Sequence, residues 1–356
     1  MTLGSQHTVI IIGGGQAGLA TAYYLRRAGV DFVVLDAEFR AGGSWLHGWQ
    51  SLTLFSPAAY SSLPGWQMPE AATTRYPTRN EVIEYLQKYE ARYDFPVVRP
   101  AKVLSVNHDH GTFLVQTSAS QYRAKAIVSA TGTWSHPFVP KYAGWEVFRG
   151  EQIHSANYVE GTRFRGKRVL IIGGGNSGAQ ILAEVSRYGS TTWVTLDEPK
   201  LLPKDVDGRV LFERASARII GGDTTSFGGI GDIVMVASVK EALERGVLHS
   251  VRPFQRFEED GVKWRDGTFS HVDTVIWCTG FRPALGHLSD LYTVDATDTV
   301  PLHENQSVQC PGLWLIGYGN WSGAASATMI GAGRVAREMV PRLISWLDRS
   351  EGATAT

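Results

Sequence analysis

Two short glycine arrays hold most of the chemistry this sequence can perform. Gly13-Gly14-Gly15-Gln16-Ala17-Gly18 follows the β-branched run Thr8 to Ile12, and Gly173-Gly174-Gly175-Asn176-Ser177-Gly178 follows Arg168 to Ile172. In a G-x-G-x-x-G array the first glycine permits a tight turn, the second lets backbone approach a pyrophosphate, and the third lets a helix pack on its strand. The phosphates then rest on the free N–H groups and positive dipole end of that helix. One such array is weak evidence, because glycine turns are common. A strand before it, a helix after it, an acid at ribose distance and a second copy make the pair specific.

The acids follow. Asp36 closes a strand read over Asp31 to Leu35, eighteen residues beyond Gly18, where a dinucleotide fold places its ribose-binding carboxylate. In the second copy the corresponding place, at the end of Thr191 to Leu196, reads Leu196-Asp197. A guanidinium here would pair with the 2′-phosphate of NADPH, whereas an acid accepts from a free 2′-hydroxyl and repels a phosphate. NADH is therefore expected to serve at least as well as NADPH unless Lys200 or Lys204 reaches in; a solvated turn acid is the competing reading.

Other strand-end residues join the list of candidates. Gly42-Gly43-Ser44-Trp45 could wrap a pyrophosphate and ribityl chain, or be a plain glycine turn. Val103 lies on a strand read over Lys102 to Val106. Thr131 and Gly132 follow the apolar run Ala126 to Ala130, and Cys278, Thr279 and Gly280 close the run Val272 to Cys278. Two dinucleotide sites, the second inserted into the first, describe a flavoprotein that passes hydride from NAD(P)H to FAD.

The elements that must position these residues are α/β throughout: two nested Rossmann-like dinucleotide-binding domains. The expected division is 1–135 and 281–350 for FAD, 136–163 as a linker rich in Pro, Gly and aromatics, and 164–280 for NAD(P)H. Thr78-Arg79-Asn80-Glu81 forms a capping box ahead of Val82, Leu86, Tyr89 and Tyr93 on one helical face. Thr112 to Gln116 pairs with the Val103 strand. A glycine-rich stretch from Gly221 to Gly231 interrupts the second unit, and a last strand at Leu313 to Ile316 precedes a helix with Val335, Met339, Leu343 and Trp346 on one stripe.

At Phe148-x-Gly150-x-x-x-His154-x-x-x-Tyr158 the sequence resembles the FxGxxxHxxx(F/Y) fingerprint of flavin-containing monooxygenases, placed just before the second glycine array as in that family. Gly42-Gly43-x-Trp45, Ala130-Thr131-Gly132 and Cys278-Thr279-Gly280-Phe281 are similar to further motifs of the family. It looks closest to the short bacterial members, including those of arsenic-resistance operons. The resemblance implies that NAD(P)H reduces FAD, oxygen adds at the flavin C4a carbon, and the resulting hydroperoxide oxidises a soft nucleophile: a sulfide, an amine, a trivalent arsenical, or in a related class a small ketone. It also implies a homodimer at family level. Baeyer–Villiger monooxygenases usually end the fingerprint in Trp-Pro, whereas this chain reads Tyr158-Val159.

Three departures stand out. The family commonly places an Asn over the flavin ring; the matching stretch Ser51 to Ser56 puts Phe55 there, so any contact would be apolar. Leu196-Asp197 replaces an Arg. Gly317-Tyr318-Gly319-Asn320 stands where many relatives have Gly-Asp, and Asn320 can still hydrogen-bond ribityl hydroxyls. Phe55 and His154 are the side chains carried as candidates at the reaction itself, His154 chiefly as an organiser of the linker.

Bulk properties narrow the partners. Lys plus Arg is 34 and Asp plus Glu is 34, with no run of like charge to hold a phosphate backbone. No apolar run approaches the roughly 20 residues that span a bilayer, and no leader precedes the first strand, so a cytoplasmic enzyme of small molecules and O2 is expected, without nucleic acid or membrane. Two cysteines, Cys278 and Cys310, make neither a disulfide scaffold nor the close pair a disulfide reductase needs. No H-E-x-x-H or G-x-S-x-G points to a metal or a hydrolase. A flavin oxidase releasing peroxide and a non-catalytic flavoprotein remain the other readings.

Overall fold

A computed structural model of the chain describes residues 2–72, 76–203, 206, 232–292 and 299–354. They divide into two compact units, one from Met1–Leu46, Pro57–His136 and Arg282–Thr356, the other from His47–Ser56 and Pro137–Phe281.

The first unit opens as its β-branched run dictates. β1 (Thr2–Ile12) enters the glycine turn, α1 (Gln16–Arg27) returns, and β2 (Phe32–Leu35) pairs parallel to β1 from Val9↔Phe32 to Ile12↔Leu35. α2 (Arg79–Arg92) starts at the expected capping box: the Thr78 side chain accepts from the Glu81 N–H, and the Glu81 carboxylate accepts from the Thr78 N–H at 2.7 Å. β3 (Val97–Val98), the hairpin β4 (Val103–Asp109) and β5 (Thr112–Thr117), and β6 (Ser120–Ser129) follow.

The second unit repeats the plan. β7 (Glu151–His154), β8 (Arg168–Ile172), α3 (Asn176–Val185), β9 (Ser190–Val194), α4 (Ala237–Glu244), β10 (Ser250–Val251), the meander β11 (Arg256–Glu258), β12 (Gly261–Lys263) and β13 (Phe269–His271), and β14 (Thr274–Trp277) complete it. Its main sheet runs β10-β9-β8-β14-β7, all parallel. Part of the segment read as a linker is thus the edge strand β7. Its four residues are too few for periodicity to reveal; pairing with β14, from Glu151↔Thr274 to His154↔Trp277, makes them a strand. Gly221 to Gly231 lies outside the described residues, as does Lys204.

β15 (Leu302–His303), β16 (Gln306–Ser307), β17 (Leu313–Leu315) and α5 (Met329–Thr354) return to the first unit. The sheet order there is β15-β16-β17-β6-β1-β2-β3, with the β4–β5 hairpin joined antiparallel to β6. α5 packs against α1 and buries Val335, Met339 and Leu343 as the stripe predicts, with Leu347 more buried than Trp346. Each unit has its own core: Ile10, Ile12, Val33, Leu35, Ile127, Leu313 and Leu315 in the first, Leu170, Ile172, Val194, Val275 and Trp277 in the second. Each such buried side chain contributes about 1.5–3 kcal/mol, which holds the strand ends rigidly below both glycine turns.

Candidate dinucleotide sites

The two turns are built alike. Gly13 and Gly173 have φ of +106° and +132°, a region that favours glycine. A Cβ on Gly13 would lie 2.6 Å from the Ala130 carbonyl oxygen, and one on Gly173 would overlap that of Cys278. A Cβ on Gly18 or Gly178 would overlap the carbonyl oxygen of Gly13 or Gly173 respectively, so only glycine lets each helix start sit on its own turn. Both helices begin without a side-chain cap, at Gly15 and Gly175. An added Cβ on Gly15 would meet only Gly43 Cα, at 3.9 Å, and one on Gly175 nothing within 4 Å. Neither helix start has a side-chain cap, and among the described residues little lies beside Gly15 and Gly175, an arrangement that fits a pyrophosphate on the helix N–H groups.

Around the first turn the residues singled out in the sequence are mostly tied to protein partners. Ala17 is buried, and Gln16 donates to the Ala327 carbonyl while accepting from the Trp45 indole at 3.1 Å. Gly43 closes on Gly15, where its own Cβ would come 2.7 Å from Gly15 Cα, and Ser44 beside it is exposed. Arg79 holds this loop from α2 by donating to the Trp45 and Leu46 carbonyls. Val103 is half-buried against the first core. Asp36 does not stand free: Arg99 donates to its Oδ2 at 2.6 Å and to both oxygens of Glu90, while Oδ1 faces the Glu38 N–H at 3.5 Å. Asn320 turns its amide oxygen back to accept from the Ala325 N–H, leaving its NH2 as the group that could meet a ligand.

A buried polar chain runs across the ends of β6 and β17. The Thr131 hydroxyl donates to the Ala284 carbonyl at 2.8 Å, so it must accept from the Tyr318 hydroxyl, 2.7 Å away. Tyr318 then accepts from Ser129, at 2.5 Å, and Ser129 accepts from His287 Nε2, at 3.0 Å. The Thr131 N–H also points to the Tyr318 oxygen. Burial, then the nearby His136, pushes the His287 imidazole down to about 4, and burial raises the Tyr318 phenol. Sequence reasoning missed this use of Tyr318 and His287, for which neither a motif nor spacing gives a signal.

In the second unit Asn176 donates to the Asp232 carbonyl and accepts from the Val234 N–H, both at 2.9 Å, and its second amide N–H remains as a donor. Ser177 is half-exposed on the first turn of α3. Leu196 is 81 % exposed and Asp197 is exposed beside it, its carbonyl accepting from the Thr195 hydroxyl at 2.7 Å. Gly280 has φ +81° with nothing within 4 Å of its Cβ direction, and Thr279 donates to the Phe138 carbonyl. Burial pushes the Cys278 thiol up to about 12, so it is no nucleophile at neutral pH; it and Cys310 are free, and Cys310 lies in the first core.

His154 is buried with both ring nitrogens in use: Nδ1 accepts from the Ala156 N–H at 3.1 Å and Nε2 donates to the Gly280 carbonyl at 3.0 Å. Burial lowers its proton affinity, outweighing the Gly280 bond. With both nitrogens occupied it has no lone pair to take up a substrate proton, and it ties the fingerprint strand to the Cys278-Thr279-Gly280 turn instead. Phe55, half-buried, lies on the one stretch of the N-terminal hundred residues that belongs to the second unit. That stretch is pinned by Gln50 N–H to the Val159 carbonyl, Ser51 Oγ to Glu184, and Trp49 edge-on against Tyr158.

Fold and turns together define a protein of two dinucleotide-binding folds, one inserted in the other. The family model described as pyridine nucleotide-disulphide oxidoreductase matches residues 10–317. The flavin-containing monooxygenase from Stenotrophomonas maltophilia superposes with a TM-score of 0.90 at 48% identity, covering 96% of this chain and 99% of that one. The oxidoreductase CzcO of Bacillus subtilis is 29% identical over 95% of this chain and 99% of its own length. The indole-3-pyruvate monooxygenase YUCCA8 of rice, Oryza sativa, is 28% identical over 77% of this chain and 75% of its own. The chain belongs to the pyridine nucleotide-disulphide oxidoreductase family and, within it, to the flavin-containing monooxygenases. It is an oxidoreductase whose cofactors are a flavin and a pyridine nucleotide. No helix among the described residues is long and apolar enough to cross a membrane.

Proposed function

We propose that the first unit holds FAD over the Gly13–Gly18 turn, that the second holds NADH or NADPH over the Gly173–Gly178 turn, and that the enzyme inserts one atom of O2 into a soft nucleophile, a sulfide, amine or trivalent arsenical, with small ketones the second substrate class. The observation that carries this reading is the matched pair of helix starts, each without a side-chain cap and each behind a turn whose close approaches only glycine fits. Bound FAD, once reduced, supplies the electrons that activate oxygen.

The chain's own residues bind and orient. N–H groups at the starts of α1 and α3 take the two pyrophosphates. Asp36, steadied by Arg99, offers Oδ1 to the adenosine ribose of FAD. Asp197 accepts from a 2′-hydroxyl and repels a 2′-phosphate, which supports NADH being used at least as well as NADPH. His154 stays neutral and orders the turn at Gly280. Phe55 stands in the sequence where the family has its Asn and replaces an amide with an apolar ring that cannot donate a hydrogen bond. Acid–base help from side chains is small in this scheme; geometry and exclusion of water carry the rate.

The test loads purified protein with FAD and follows oxidation of NADH and NADPH with and without a thioether, measuring sulfoxide and hydrogen peroxide together. The thioether should yield sulfoxide and lower the peroxide fraction, with kcat/KM for NADH no smaller than for NADPH. Peroxide equal to all NADH consumed, thioether or not, would show an oxidase instead.

A further inference from the structure

Arg252 follows β10, the strand outside β9 in the second sheet. The parallel register Ser250↔Trp193 and Val251↔Val194 sets it level with the end of β9. There its Nη1 donates to Thr195 Oγ1 at 3.1 Å and to the Thr195 carbonyl at 3.3 Å, while Nη2 donates to Glu198 Oε2 at 2.7 Å and to Ser250 Oγ at 2.9 Å. Thr195 itself borders the glycine turn, since a Cβ on Gly174 would lie 3.3 Å from its Cγ2. A guanidinium is therefore anchored on Thr195, two positions before Asp197, at the strand end where a dinucleotide fold binds the adenosine ribose.

We infer that Arg252 is the contact for the 2′-phosphate of NADPH, and that Glu198 competes with the phosphate for it. This rests on the second turn holding a nicotinamide dinucleotide, as proposed above. A guanidinium takes phosphate oxygens in pairs, and a phosphate dianion is a stronger partner than one carboxylate. Glu198 is largely exposed, so its ion pair with Arg252 is screened by water and exchanges readily. The Thr195 oxygens are fixed by the end of β9 and keep the guanidinium at the site when Glu198 leaves. Asp197 and Glu198 set two carboxylates beside the Arg252 guanidinium, which keeps NADH competitive while leaving NADPH usable. A phosphate-binding Arg normally read just after the second strand is thus supplied from the neighbouring strand.

The test is calorimetric titration of the FAD-loaded full chain with NADP+ and NAD+, comparing the parent protein, Arg252→Ala and Glu198→Gln. Arg252→Ala should shift the ratio of the two dissociation constants about tenfold toward NAD+, and Glu198→Gln, an exposed change that spares the fold, should move it severalfold toward NADP+. A ratio that stays within about twofold in both variants overturns the inference, as does an equal loss of both ligands in Arg252→Ala. A parent protein that binds neither nucleotide overturns the functional reading itself, and a normal NAD+ affinity with an unmoved ratio overturns this assignment alone.

Discussion

Arg99 donates its Nε–H to Oδ2 of Asp36 across 2.6 Å, and its two terminal nitrogens grip both oxygens of Glu90. The Asp36 and Arg99 side chains are 6% and 11% exposed, so each charge depends on the other. Removing one partner of a buried pair leaves an uncompensated charge, at a cost of about 3–5 kcal/mol. Arg99→Ala should therefore lower the denaturation midpoint strongly and weaken FAD retention, whereas Arg99→Ala combined with Asp36→Asn should recover part of the loss. Chemical denaturation of the three proteins decides it; an unchanged midpoint in Arg99→Ala would mean that water replaces the guanidinium.

The two glycine turns should fail separately. In Gly178→Ala the new methyl meets the Gly173 carbonyl, displacing α3 from its turn. The purified protein should remain yellow with FAD but no longer bleach on addition of NADH. Gly18→Ala should instead yield protein depleted of flavin. Bleaching at the parent rate in Gly178→Ala would place the binding of the reducing NADH elsewhere.

Tyr318→Phe removes one hydroxyl from a chain in which Thr131, Ser129 and the Thr131 N–H all use it. Buried groups left without a partner cost about 1–3 kcal/mol, and the damage falls on the Ala130-Thr131-Gly132 turn against which Gly13 rests. Differential scanning calorimetry should show lower stability, and fluorescence of bound FAD should rise as the flavin loosens. A melting point equal to the parent's would mean that the hydroxyl is dispensable.

Acid should act on the same chain. Burial drives His287 from its ordinary 6.5 to about 4, so below pH 6.5 the unfolded chain takes up a proton that the folded one refuses. Stability present above pH 6.5 is lost progressively as pH falls toward 4, by roughly 3 kcal/mol when complete. Gln at 287 keeps an N–H donor but has no such titration. Urea midpoints at pH 7 and pH 4.5 should therefore fall further in the parent than in His287→Gln, and parallel falls would assign the acid sensitivity to other groups.

How much of this was readable from the sequence depends on the range over which each feature is specified. The strand, glycine turn and helix at Gly13 and again at Gly173 were readable because their steric conditions are met within a few residues: a positive φ, and no Cβ where helix meets strand. The capping box at Thr78 was readable for the same reason. The partners around those turns were not. Arg99 reaches Asp36 because β3 pairs with β2, Arg252 reaches Thr195 because β10 pairs with β9, and Tyr318 reaches Thr131 because β17 lies beside β6. The stretch bearing Phe55 joins the second unit through Ser51, Trp49 and Gln50, on contacts with residues more than a hundred positions away. Local sterics wrote the two glycine turns into the chain itself, whereas the charges and hydroxyls that attend them were assembled by strand neighbours, and sheet order is a property of the folded whole.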